Sequence, residues 1–189
     1  ALAESRIGLS AAFMSFDGDG TETLRQSNSV TNYDHSEDVL VPSLFIEVVS
    51  DTGLGLGVDY VPVAEIGNKK GADDDIETTG ANKASAELTS HVTLYAIAEG
   101  SNGYYGKLGM AFADIDTTEN LSTGDSYGNT DTTGIMVGFG KNFSTSGDYF
   151  VRGDVSYTAY DEVSITGTGG SKVKADFDSM AATISGEAT

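Results

Sequence analysis

Between residues 6 and 16 the side chains alternate, with Ile7, Leu9, Ala11 and Phe13 on one face and Gly8, Ser10, Ala12 and Met14 on the other. Period-two alternation is the mark of a β-strand. Seven further segments repeat it. In the second, Leu40, Pro42, Leu44, Ile46 and Val48 oppose Val41, Ser43, Phe45 and Glu47. In the third, Leu54, Leu56, Val58 and Tyr60 oppose Gly55, Gly57, Asp59, Val61 and Val63. The fourth sets Leu88, Val92, Leu94 and Ala96 against Thr89, His91, Thr93, Tyr95 and Ile97. The fifth sets Tyr104, Leu108, Met110 and Phe112 against Tyr105, Lys107, Gly109 and Ala111. The sixth opposes Ile135, Val137, Phe139 and Phe143 to Met136, Gly138, Gly140 and Asn142. The seventh opposes Tyr149, Val151, Val155 and Tyr157 to Arg152, Asp154, Ser156 and Thr158. In the last, Val173, Ala175 and Phe177 are out of phase with Met180, Ala182 and Ile184, which predicts a bulge near Ser179.

The connections fall into two classes. Short turns at residues 50–53, 100–103 and 144–147 alternate with long polar stretches at residues 17–38, 67–85, 116–132 and 161–171. This pattern predicts one domain over residues 1–189: an all-β, eight-stranded antiparallel up-and-down barrel, with both chain ends on the tight-turn side. A slip of one residue inverts every side chain, so the shared phase of the segments carries the argument.

Alternation alone does not say which face meets water, but face content does. The apolar face has almost no charge, as a surface against hydrocarbon requires; Lys141, near its turn, is the exception and is expected to snorkel. The other face is rich in small residues and carries both charge signs. Glu47, Asp59, Lys107, Arg152 and Asp154, with His91 on the same phase, are expected to form an interior charge network. Tyr60, Tyr104, Phe112, Phe143, Tyr149 and Tyr157 are expected as aromatic anchors at the two membrane interfaces. No run of about 18 apolar residues is present, so no transmembrane helix is expected.

The chain has 29 acidic residues against 10 Lys and Arg, a formal net charge of -19, which argues against nucleic acid as a partner. There is no cysteine, so neither a disulfide nor a thiolate metal site is available. Ala1, Leu2 and Ala3 match the small-x-small end of a secretory signal.

On these segments and connections the chain resembles the small outer-membrane barrels of the OmpX type and the transmembrane domain of OmpA. The resemblance implies an outer-membrane location in a Gram-negative bacterium, long loops outside, tight turns in the periplasm, and lipid with lipopolysaccharide as surroundings. One departure is the C-terminus: Gly186-Glu187-Ala188-Thr189 lacks the terminal aromatic residue of that family.

Asp17 and Asp19, and the run Asp73, Asp74 and Asp75, place hard oxygen ligands in polar stretches that a bound Ca or Mg ion would suit. Neither completes a twelve-residue calcium loop, because Asn28 stands where a bidentate acid is needed, and solvated acidic loops are the expectation. No cofactor is expected. Ser90 and His91 point to opposite faces and do not make a nucleophile and base. His35, between Asp34 and Ser36, is the one candidate for lipid-modifying catalysis, and the chain is expected not to be an enzyme. The expected function is a structural or surface-interaction role carried by acidic external loops, with extracellular protein or phage as partners. The alternative is a narrow channel for small solutes.

Overall fold

The computed structural model describes residues 3–25, 27–74, 79–122, 124–144 and 148–189, with backbone alone for 69–74, 79–81 and 144. The strands are β1 (Ala3–Thr23), β2 (Val30–Ser50), β3 (Leu54–Asp74), β4 (Thr79–Glu99), β5 (Tyr104–Asn120), β6 (Thr130–Ser144), β7 (Tyr149–Tyr160), β8 (Val163–Thr166) and β9 (Lys172–Ala188). Each long strand pairs antiparallel with its neighbour, and β9 returns to β1, so eight staves close a barrel. Short β8 pairs only with the loop end of β9, on the edge that β7 uses lower down; it prolongs that side of the wall rather than adding a stave.

Following rungs around the wall leads from Ile7 through Ile46, Val58, Leu94, Met110, Ile135, Ala159 and Asp178 back to β1 at Asp17. The circuit returns ten residues further along the strand than it began, from 7 to 17. Such a stagger tilts the strands by roughly 40° and leaves an interior only wide enough for side chains.

At the tight-turn end, Gly53 N–H donates to the Ser50 carbonyl and Gly103 N–H to the Gly100 carbonyl, both at 2.9 Å. Gly53 has φ +84° and packs so closely on the Glu99 carbonyl that no side chain fits there. The third turn lies mostly outside the described residues.

The polar stretches are the first difference from the sequence expectation. Most of residues 17–38 and 67–85 is strand, not loop: β1 and β2 stay paired to Thr23↔Val30, and β3 and β4 to Asp74↔Thr79. Backbone ladders need no hydrophobic alternation, so two-sided polar segments conceal strands that continue above the bilayer.

The expected bulge near Ser179 is absent, since β9 keeps one register with β1 from Lys172 to Ala188. Instead the meaning of the faces changes with height. Within the membrane the apolar side chains point outward. Above it they point inward, and Phe177 packs against a closed cluster containing Met14, Phe16, Val41, Val61 and Leu88. Water replaces lipid outside at that level, so the inside becomes the place to bury hydrocarbon.

Leu88 and Val63 depart for a local reason. Ser90 has φ +50° and the β4–β5 register shifts between Thr89 and Val92, which turns Leu88 inward at 1% exposure. Val63, across from Thr89, faces out.

Candidate functional site

The lower interior is filled by charge. Arg152, 1% exposed, sets Nη1 2.9 Å from the Glu47 carboxylate and 3.3 Å from Glu187 Oε2. Its guanidinium lies 4.0 Å from the centre of the Phe45 ring, and Tyr95 Oη donates to Glu47 Oε1 at 2.6 Å. Beside it, Lys107 Nζ and Tyr105 Oη both donate to Asp154 Oδ2, at 3.1 and 2.7 Å. Asp59 accepts from Ser43 at 3.1 Å. Nearest the tight-turn end, Arg6 bonds Glu99 at 2.8 Å and Glu4 at 2.9 Å.

Of the six residues expected in this network, Glu47, Asp59, Lys107, Arg152 and Asp154 share it. His91 does not: it is buried higher up, where its Nε2 lies 2.9 Å from Tyr160 Oη. Sequence reasoning missed Arg6, Glu99 and Glu187 as members. The signal was available, because each sits on the inward phase of its strand.

Glycines make room for the rings. The Tyr95 ring lies over Gly57, that of Tyr105 over Gly140 and that of Phe45 over Gly8, each too near for a Cβ. Gly57→Ala is expected to push Tyr95 off Glu47 and to cost about 1–3 kcal/mol, read as an earlier urea unfolding midpoint in micelles. An unchanged midpoint would mean that the ring and carboxylate are not held as described.

Outside, all six expected anchors are exposed, Tyr60, Tyr104, Phe112, Phe143, Tyr149 and Tyr157 among them alternating with aliphatic side chains around the wall. Lys141 Nζ lies 4.6 Å from the ring centre of Tyr104 and 5.5 Å from that of Phe143, its charge carried toward the turn end.

Just past this apolar belt the outer wall becomes acidic. Rungs set Asp17 against Asp178, Glu65 against Glu87, Glu87 against Asp116, and Asp114 against Asp131. One step higher Asp19 lies between Asp34 and Asp176. Directly opposed like charges destabilise a sheet unless counter-ions screen them. Among the described residues no three acidic or histidine side chains converge as a metal centre; the carboxylates are spread around the wall as a charged collar. Asp17 and Asp19 belong to it; the side chains of Asp73, Asp74 and Asp75 lie outside the described residues.

A shallow depression on this wall is lined by Asp17, Asp19, Ser36, Tyr157 and Asp178. His35 is half exposed, with Nε2 3.3 Å from Glu37 Oε2, and Ser36 takes the opposite face of the strand. Higher still, Glu22 accepts from Tyr33 at 3.0 Å and from Tyr127 at 3.1 Å, tying the β1–β2 extension to residues 121–129. Burial and the Glu22 charge push the Tyr127 phenol up, so it remains a donor at any ordinary pH.

No protein-family model matches the chain, and no curated protein matches it in sequence. Solved structures do. AlkL, an outer membrane protein determined in lipid bilayers, aligns with TM-score 0.59 at 13% identity, over 98% of this chain and 90% of that one. OprG from Pseudomonas aeruginosa aligns with TM-score 0.55 at 13% identity, over 96% and 95%. Neisserial surface protein A aligns with TM-score 0.52 at 12% identity, over 100% and 99%. The fold is therefore that of the small outer-membrane β-barrels. The apolar belt, interior charges and loop-side acidity of this chain agree with it: the protein has the fold of an eight-stave outer-membrane barrel.

Proposed function

We propose that this protein is a membrane-anchored surface protein whose acidic outer wall and strand extensions carry its function. The observation behind this reading is the filled interior: charge pairs occupy the lower barrel and packed hydrocarbon the upper. Among the described residues both halves are lined by packed side chains, which supports an anchor over a pore. The barrel then serves as anchor, and contacts with the outside fall to the surface. In planar bilayers the purified protein is expected to give no stable conductance; a steady single-channel current would favour the narrow-channel alternative.

Divalent cations are the natural complement of the collar. Ca or Mg ions screening opposed carboxylates at the lipid boundary would also meet the phosphates of neighbouring lipopolysaccharide. Mg is expected to raise the unfolding temperature in vesicles containing lipopolysaccharide, with much less effect in phosphatidylcholine alone. Chelation, or the combined change Asp17→Asn, Asp114→Asn, Asp131→Asn and Asp178→Asn, is expected to abolish the difference. An equal response in both vesicle types would remove the lipopolysaccharide contact. Beyond the lipid, the extensions face extracellular protein or phage, and their charge selects basic surfaces.

We read the protein as non-enzymatic, because His35 has no nucleophile beside it on its face. Lipid A mass spectra from cells expressing the wild type and His35→Ala are expected to be identical. A mass shift present only with the wild type would reverse that reading.

A further inference from the structure

Glu187 is 3% exposed, and among the described residues neither of its carboxylate oxygens receives a hydrogen bond. Its charged neighbours cancel: Arg152 and Arg6 attract it, while Glu47 and Glu99 repel it. Both cations are already engaged. Arg152 Nη1 lies 2.9 Å from Glu47 and 3.3 Å from Glu187, and Arg6 holds Glu99 at 2.8 Å and Glu4 at 2.9 Å. Glu4 stands at the rim, 45% exposed, where water solvates it. Inside remain Arg6, Glu47, Glu99, Arg152 and Glu187. Two guanidinium groups against three carboxylates leave a charge of -1.

Register assembles this cluster. Arg6 is the rung partner of Glu47, Glu187 lies across from Gly8 two residues further along β1, and Arg152 is two residues from Phe150, the partner of Glu187 on β7. The five groups come from β1, β2, β4, β7 and β9, so only closure of the barrel brings them together. A buried charge left without compensation is costly, because neither hydrocarbon outside the wall nor the packed rings of Phe45, Tyr95 and Tyr105 solvate it. Neutral oxygens occupy neighbouring inward positions. Ser185 is the next inward residue of β9, and Asn142, on the rung Asn142↔Arg152↔Ser185, has a buried Oδ1 without a hydrogen bond among the described residues.

We propose that this cluster binds one monovalent cation, sodium or potassium, with Glu187 as its anionic ligand at the tight-turn end of the barrel. One positive charge brings the five groups to neutrality. A divalent ion would overshoot, and among the described residues no three carboxylates converge to hold one. The site is separate from the collar, which lies outside the wall and toward the loops. Because the unfolded chain does not assemble it, the ion acts as a counter-ion of the folded state and stabilises it by mass action.

The test is urea unfolding of the full chain in neutral detergent micelles, at one ionic strength made up with sodium, potassium or tetramethylammonium chloride. The last cation is too large for a buried carboxylate site. The wild type is expected to be more stable in sodium or potassium than in tetramethylammonium. Above the binding midpoint, each tenfold rise in the favoured ion at constant ionic strength should lower the unfolding constant about tenfold, the slope for one bound ion. The collar variant Asp17→Asn/Asp114→Asn/Asp131→Asn/Asp178→Asn should keep this dependence, and Glu187→Gln should lose it. Glu99→Gln, which neutralises the cluster from its more exposed edge, takes the place of Glu187→Gln if that variant does not fold. Equal stability of the wild type in the three salts would overturn the proposal. So would a dependence that survives the deciding substitution or that disappears with the collar.

Discussion

Arg152→Ala is expected to lower stability by about 3–5 kcal/mol, because it strips the counter-charge from Glu47 and Glu187 while leaving both in the barrel. Both carboxylates are nearly inaccessible, at 1% and 3% exposure, so water cannot take over the role of the guanidinium. Glu187 depends on it most: among the described residues neither of its oxygens has a hydrogen bond, and Arg152 lies 3.3 Å away. The change should appear as a large drop in the urea midpoint and as loss of the heat-modifiable folded band on gels. Removing the charges together, Arg152→Met with Glu47→Gln and Glu187→Gln, should recover most of the loss. The cost lies in leaving charges unpaired, not in the absence of the pairs themselves. If the single change is mild, the interior holds more water than the packing of Phe45, Tyr95 and Tyr105 allows.

Leu108→Arg carries the second large effect. Leu108 is 61% exposed in the middle of the outer face of β5, between Tyr104 at the turn end and Phe112 at the loop end. A charge facing hydrocarbon near the midplane costs roughly 2–4 kcal/mol. Asp114→Arg, six residues further up the same outward row, should be harmless, since it sits among the collar carboxylates and relieves its opposition to Asp131. Refolding yield into vesicles, measured for both variants, should fall for Leu108→Arg and hold for Asp114→Arg. Equal tolerance at the two positions would contradict a lipid-facing belt that ends between them.

Much of this was legible beforehand because a strand exposes its phase in the sequence. Ile7 through Phe13 and Leu54 through Tyr60 alternate cleanly, since one face meets lipid and the other a crowded interior. The same rule misled wherever the environment changed. Val173, Ala175 and Phe177 are as hydrophobic as Met180 and Ile184, yet they face the opposite way because their stretch of β9 rises above the bilayer. Residues 17–38 read as loop because both faces are polar there, although the backbone ladder runs on. Leu88 was assigned outward because a single positive φ at Ser90 leaves no trace in hydropathy.

The candidate site divides along similar lines. Inward charges such as Glu47 and Arg152 were recognisable by phase, but phase places a residue on a face and says nothing of its partner. Lys107 met Asp154 and Arg152 met Glu47 and Glu187 only through the ten-residue stagger, which brings different heights of separate staves together. His91 shares their face and is kept from them by height alone.

The sequence by itself determined the class of fold, the number of staves, the lipid-facing belt and the sign of the surface, because each follows from local periodicity and composition. The tertiary structure alone decided which charges pair, where the inside turns from ionic to apolar and how far the strands rise. Those depend on register and closure, which join residues far apart in the chain and which no local pattern encodes.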